Sequence, residues 1–322
     1  MSEIVPTSTD LSLRLEAEIA AARETLAAAH AGATLRAYAS DWIRFCEFCD
    51  ARHVEALPAH PDIVALFLEM EGRAGKSPVT VSRRVAAINH HHKDAGLATP
   101  VARDAAGTIA AMLRGVKKVY ARPASKKAPA EADVLAAMLA TIGGASLRAT
   151  RDRALLAIGM ASALRRSELV AIRMEHLRWQ KAGLRILIPR SKGDQTAQGA
   201  EIAVPEGRSI RPVSLLREWL GSAGHDSGPL FRRLTRADGM TDFPMTDKSV
   251  ARLIKAAAAA AGLDPANYSG HSLRSGFLTE AANKRANIFK MKDHARHKSL
   301  DTVAGYVRSA DIFDDHAGDD FL

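Results

Sequence analysis

The sequence predicts a mainly α protein of two domains, an all-helical front and a longer, mainly α rear half with a small antiparallel β-sheet. Three observations carry this. Apolar residues recur at helical spacing through most of the chain. The stretch ARPASKKAPAEAD at 121–133, rich in proline and small or basic residues, interrupts that pattern as a linker does. In LRILIP (184–189) and EIAVP (201–205) the period drops to two. A chain of 322 residues has room for two ordinary domains.

The elements follow in order. A flexible polar tail at 1–12 precedes a helical front domain at 13–119, which opens with an Ala/Glu/Leu-rich helix over 12–29. A helix over 33–51 sets Tyr38, Trp42, Phe45, Cys46 and Cys49 on one face. Cys46 and Cys49 are half of a zinc ligand set at most, and no second cluster follows, so they read as reduced core residues. A third helix spans 61–72. Ser77 suits an N-cap and Pro78 the first helical position, so a fourth helix starts there and stops near Gly96. Its Val81, Val85 and Ile88 face a core and leave Lys76, Arg83 and Arg84 near solvent. These three either meet phosphates or form a solvated basic face. His90, His91 and His92 are consecutive on a helix, point in different directions and cannot chelate a metal together; they read as the surface of a helix end. A helix over 103–119 leads into the linker, residues 120–131.

The rear domain, 132–322, opens with helices near 131–142 and 150–162. Ser167 then caps a short helix, with Glu168 in its first turn. The two alternating segments form a hairpin whose loop, RSKGDQTAQG, carries Lys192. Helices resume after Pro212. One of them sets Lys248, Arg252 and Lys255 in a stripe opposite Val250, Leu253 and Ile254, a face that either enters a DNA groove or is merely solvated.

Lys and Arg number 45 against 36 Asp and Glu, a formal charge of +9 that points to a polyanionic partner, most naturally nucleic acid. Aromatic residues make up only 5%, which disfavours a single-strand binder built on base stacking. There is no apolar run of membrane length and no basic, then apolar, leader at the start, so a cytoplasmic protein is expected, nucleoid-associated when bound to DNA.

Arg165, Lys192, His271, Arg274, His297 and Tyr306 make a chemical set in the rear half. Phosphodiester cleavage needs a nucleophile, charge on the non-bridging oxygens and a proton for the departing oxygen. Two guanidinium forks match the phosphate oxygens. A tyrosine attacks once a base or a positive field helps remove its proton, histidine suits the base, and a loop lysine suits the proton donor. Arginines neutralise the charge, so neither metal nor cofactor is required.

The order of these six residues, with nine positions from His297 to Tyr306, resembles the tyrosine recombinase (phage integrase) family, most closely its Cre-like members, across nearly the whole chain. The resemblance implies a helical core-binding (SAM-like) front domain and a catalytic rear domain. It implies that Arg165 and Arg274 clamp the scissile phosphate, His271 acts as acid/base, Lys192 protonates the 5′-hydroxyl, His297 bonds the phosphate, and Tyr306 forms a 3′-phosphotyrosine. Glu168 matches the acidic residue that supports the arginine and histidine from behind. The implied partner is double-stranded DNA with paired inverted-repeat sites, bound by a homotetramer that is monomeric when free and exchanges strands through a Holliday junction. A relaxing enzyme like type IB topoisomerases and a non-catalytic DNA binder of the same fold are the alternatives. Three positions depart from the family pattern: Arg296 and Ala163 stand where the family usually has Gly, and Ser275 where many relatives carry His. The tail at 307–322, with five aspartates beside Ile312, Phe313, Phe321 and Leu322, is expected to pack into a neighbouring protomer.

Overall fold

The computed structural model describes residues 15–16, 18–20, 32–122, 127–189 and 199–310. Its contacts divide the chain into two units that meet between Ala124 and Ser125.

The first unit contains α1 (Gly32–Asp50), α2 (Pro61–Arg73), α3 (Pro78–Asp94), a single turn α4 (Pro100–Arg103) and α5 (Thr108–Tyr120). Proline opens α2, α3 and α4, where its missing N–H costs nothing. Ser77 Oγ accepts the Thr80 N–H at 3.2 Å and Thr99 Oγ accepts that of Ala102 at 3.1 Å, so both starts are capped by side chains. The helix expected over 103–119 begins only at Thr108. Asp104 takes the N–H groups of Thr108 and Ile109 at 2.9 and 2.7 Å, and Gly107 turns the chain at φ 68°. Of the helix expected over 12–29, residues 15–16 and 18–20 are helical and the others lie outside the described residues.

Phe45, Phe67, Leu68, Val81, Val85 and Ile88 pack the core of this unit together with Cys49. Both cysteines are free, and burial pushes the Cys49 thiol up to about 11, which leaves it an inert core residue. Among the described residues no group of His, Cys, Asp and Glu could hold a metal.

Two expectations for α3 are corrected. Arg84 is not on a solvent face: it is 7% exposed, with Nη2 2.7 Å from Glu71 Oε2 and Nη1 3.6 Å from Asp41. Two buried carboxylates need a cation, and α3 supplies it from its inner side. His92 is not at a helix-end surface either. It is fully buried, its Nε2 accepting the Ala59 N–H at 2.9 Å while Nδ1 lies 2.8 Å from the Ile88 carbonyl. Arg83 keeps an exposed side chain but holds Asp41 at 2.7 Å.

The second unit contains α6 (Ala132–Ala140), α7 (Leu147–Ala161), α8 (Arg166–Ala171), the sheet strands β1 (Leu177–Gln180), β2 (Gly183–Ile188) and β3 (Ala200–Pro205), α9 (Pro212–Ala223), β4 (Arg232–Leu234), β5 (Met240–Pro244), α10 (Asp247–Ala260), α11 (Ser272–Asn283), α12 (Ile288–Ala295) and α13 (Leu300–Ala310). The hairpin alternation holds. Leu184, Ile186 and Ile188 point inward, and the antiparallel register sets Leu184 opposite Val204 and Ile186 opposite Ile202. β1 on the far side of β2 and the separate β4–β5 pair were not expected. β1 has no buried residue and β4 spans three residues, so neither carries a periodic signal.

The largest core joins α6, α7, α9, α10 and the three-stranded sheet around Trp219, whose indole N–H donates to the Leu230 carbonyl at 2.9 Å. A smaller core of Ala163, Leu278, Ala282, Met291, Ala295 and Val303 lies under α11, α12 and α13. Residues 127–130, expected to be linker, are bonded to the second unit instead. Ala128 and Ala130 donate to the Asn267 and Ser272 carbonyls at 2.8 and 2.9 Å, and a Cβ on Gly276 would lie 1.9 Å from the Ala130 oxygen. Only glycine lets this segment lie against α11.

Candidate active site

The site is assembled from four chain segments of the second unit. α7 ends, Ala163 takes left-handed backbone at φ 47°, and the chain re-enters at Arg165, which is the N-cap of α8. Ser167, expected as the cap, lies inside the helix, and the side chain that closes the helix start is that of Glu168 in its first turn, whose Oε2 accepts the Arg165 N–H at 2.9 Å. The other carboxylate oxygen accepts from Arg165 Nη1 at 2.7 Å, so one buried glutamate orients both the backbone and the guanidinium of Arg165. Burial alone would raise the Glu168 carboxyl, but the Arg165 N–H and the guanidiniums of Arg296 and Arg165 hold it below the usual range.

Arg274 projects from the first turn of α11 and is 1% exposed. Its Nη1 donates to the carbonyl of Ala163 at 2.7 Å, while Nε and Nη2 are buried with no hydrogen-bond partner among the described residues. Burial, followed by repulsion from Arg165 and Arg296, lowers it to about 10, so it stays charged at neutral pH. A buried guanidinium with two empty donors is costly unless an anion fills the place.

His271 is the residue before α11, and burial together with Arg274 and Arg165 lowers its pKa. His297 follows α12. Burial, Arg274, Arg165, His271 and Arg296 bring it down to about 4, and its Nε2 is also buried without a partner among the described residues. Tyr306 stands on α13, half-buried, where it packs on the small core with Phe277 and Val307. Burial raises its pKa and Arg274 pulls it back down. Tyr306 and His271 line one cavity of 710 Å³, together with Lys127, Ser275, Thr279 and Arg308. A tyrosine and a histidine thus open into the same space, and the charge of Arg274 bears on both.

Arg165, Glu168, His271, Arg274, His297 and Tyr306 are therefore brought together, although they stand up to 141 positions apart, from 165 to 306. Lys192 lies outside the described residues. Lys248, Arg252 and Lys255 form an exposed stripe on α10, away from its buried Val250 and Ile254, and Lys76 is exposed just before α3. Arg296 escaped the sequence assignment of roles. It closes α12 in left-handed backbone and its Nη2 reaches Glu168 Oε2 at 2.9 Å. The signal was its position, where the family pattern carries the glycine that such a turn favours. His294, also unassigned, stacks on Phe277 and lies 2.9 Å from the Ala161 carbonyl.

Comparison with known proteins then says which class carries this fold. The sequence pattern of the phage integrase family matches residues 130–312. An integrase/recombinase xerD homolog of Selenomonas ruminantium is 35% identical over 298 residues, covering 92% of this chain and 87% of that protein. A tyrosine recombinase XerD of Xanthomonas axonopodis pv. citri is 30% identical over 167 residues, 49% of this chain and 50% of its own. Among solved structures, a lambda integrase dimer bound to a COC′ core site has a TM-score of 0.59 at 16% identity, covering 94% of this chain and 96% of that one. The XerH recombinase bound to palindromic difH substrate has 0.58 at 17%, covering 79% and 70%. At such identities the structures speak for the fold alone. The chain belongs to the phage integrase family, the tyrosine recombinases.

Proposed function

We propose that this protein is a site-specific DNA recombinase that cuts and rejoins strands through a 3′-phosphotyrosine, with exchange passing through a Holliday junction. The observation that carries the reading is Arg274: a buried, charged fork with two unfilled donors, beside Arg165 and facing a tyrosine. A phosphodiester supplies the missing acceptors.

In the proposed reaction Arg165 and Arg274 bind the non-bridging oxygens, and His297 Nε2 donates to one of them. Tyr306 Oη attacks phosphorus while His271 takes its proton. The bond from phosphorus to the 5′-oxygen breaks, and Lys192 gives that oxygen a proton. The ester energy is retained in the phosphotyrosine, so a 5′-hydroxyl from another strand reverses the step without a cofactor. Two such rounds by a tetramer on two DNA sites complete an exchange. The exposed stripe of Lys248, Arg252 and Lys255, with Lys76 and Arg83, is proposed to contact the duplex. DNA as the partner is supported by the neighbours, since XerH was bound to difH and lambda integrase to a COC′ site.

The test starts with a Tyr306→Phe variant and a random duplex pool. Selection is expected to enrich an inverted repeat, and the unaltered protein is expected to form a covalent adduct on that duplex which the variant does not. Enrichment of no sequence, with supercoils relaxed equally on any plasmid, would instead fit a relaxing enzyme.

A further inference from the structure

Arg296 carries two costs at one position. Its backbone is left-handed, φ 54° and ψ 48°, a region that strains any residue other than glycine. Its side chain is 8% exposed, and burial lowers its pKa. Glycine would remove both costs, so the side chain is held there by what it touches. Nη1 donates to the His294 carbonyl at 3.0 Å and Nη2 to Glu168 Oε2 at 2.9 Å. That oxygen also accepts the Arg165 N–H, and its twin holds Arg165 Nη1.

The arrangement has a consequence for charge. Glu168 holds Arg165 as a closed pair, which leaves only Arg274 in surplus for an anion. With Arg296 added, three guanidiniums, those of Arg165, Arg274 and Arg296, stand against one carboxylate. Glu168 is then fixed from two sides and Arg165 retains its attraction for an anion.

We propose that Arg296 is a positioning residue for strand cleavage: by holding Glu168 it fixes the Arg165 fork toward the scissile phosphate and preserves the positive field of the clamp. This rests on the recombinase reading given above. Arg296 itself need not touch DNA.

The experiment is single-turnover formation of the Tyr306 adduct on the selected duplex, at saturating DNA, alongside equilibrium binding of the same duplex. Arg296→Gly relieves the backbone and removes the link to Glu168. Its cleavage rate is expected to fall about tenfold to a hundredfold, the loss of a hydrogen bond between charged groups, while its affinity stays within about threefold. Arg296→Asn, which also tolerates the left-handed turn, is expected to behave alike and serves if the glycine variant does not fold. Arg296→Lys, keeping charge without the fork, is expected to recover part of the rate. An unaltered rate in Arg296→Gly or Arg296→Asn overturns the proposal, as does a parallel loss of rate and affinity with no recovery in Arg296→Lys. Absence of any adduct with the unaltered protein overturns the recombinase reading itself, and is seen before a variant is compared.

Discussion

Arg274 shows at the scale of one residue how a site stores the need for its ligand. Its Nε and Nη2 have no hydrogen-bond partner among the described residues, and it is repelled by Arg165 and Arg296. Stability and function therefore pull against each other at this position. Arg274→Met is expected to cost two to three decades of cleavage rate, as losing one oxyanion donor does, and to leave the melting temperature unchanged or higher. A clear fall in melting temperature would mean that the guanidinium is satisfied in the free protein. The histidines add a pH dependence. His297 is depressed to about 4, with His271 and His294 lowered in the same direction, mainly by burial. An unfolded chain takes up these protons near pH 6.5, before the folded one does, so the histidine contribution is constant above that pH and erodes as pH falls from about 6.5 to 4. The drop in melting temperature between pH 7 and pH 5 is expected to be smaller in His297→Gln than in the unaltered protein. An equal or larger drop would show that His297 titrates normally.

Elements place these residues, and their legibility varied with the strength of local signals. Ser77 and Pro78 announced α3, and the alternation of Leu184, Ile186 and Ile188 announced β2, because cap chemistry and burial period are local. The buried sides of Arg84 and His92 were not legible. Their partners, Asp41, Glu71 and the Ala59 N–H, come from other segments, and a charged residue on a helix does not declare which face it will occupy. Arg296 was legible only as an anomaly, since its meaning depends on Glu168, 128 positions earlier. Gly276 belongs to the same class: its value lies in the Ala130 carbonyl that crosses it. Gly276→Ala would set a Cβ 1.9 Å from that oxygen, which is backbone and cannot rotate away. The variant is expected to lose at least about 2 kcal/mol in urea unfolding, monitored at the buried Trp219. A loss below about 0.5 kcal/mol would show that the 127–130 segment is free to lift from α11.

Across the whole molecule, the two units have separate cores, and every described residue of the proposed chemistry lies in the second. Family membership follows from the match over 130–312 and from the Selenomonas relative, which extends over 92% of the chain. The excess of basic residues suits a polyanion, and no helix among the described residues is long and apolar enough to cross a membrane. The account depends most on one bond, that between Tyr306 and a 3′-phosphate. The direct measurement is peptide mapping of the protein after trapping on its selected duplex and digestion of the DNA, with labelling of the released strand end. The account predicts a nucleotide on the peptide containing Tyr306 and a free 5′-hydroxyl that a kinase labels without prior phosphatase treatment. A nucleotide on another residue, or a released end that already carries a 5′-phosphate, would contradict it.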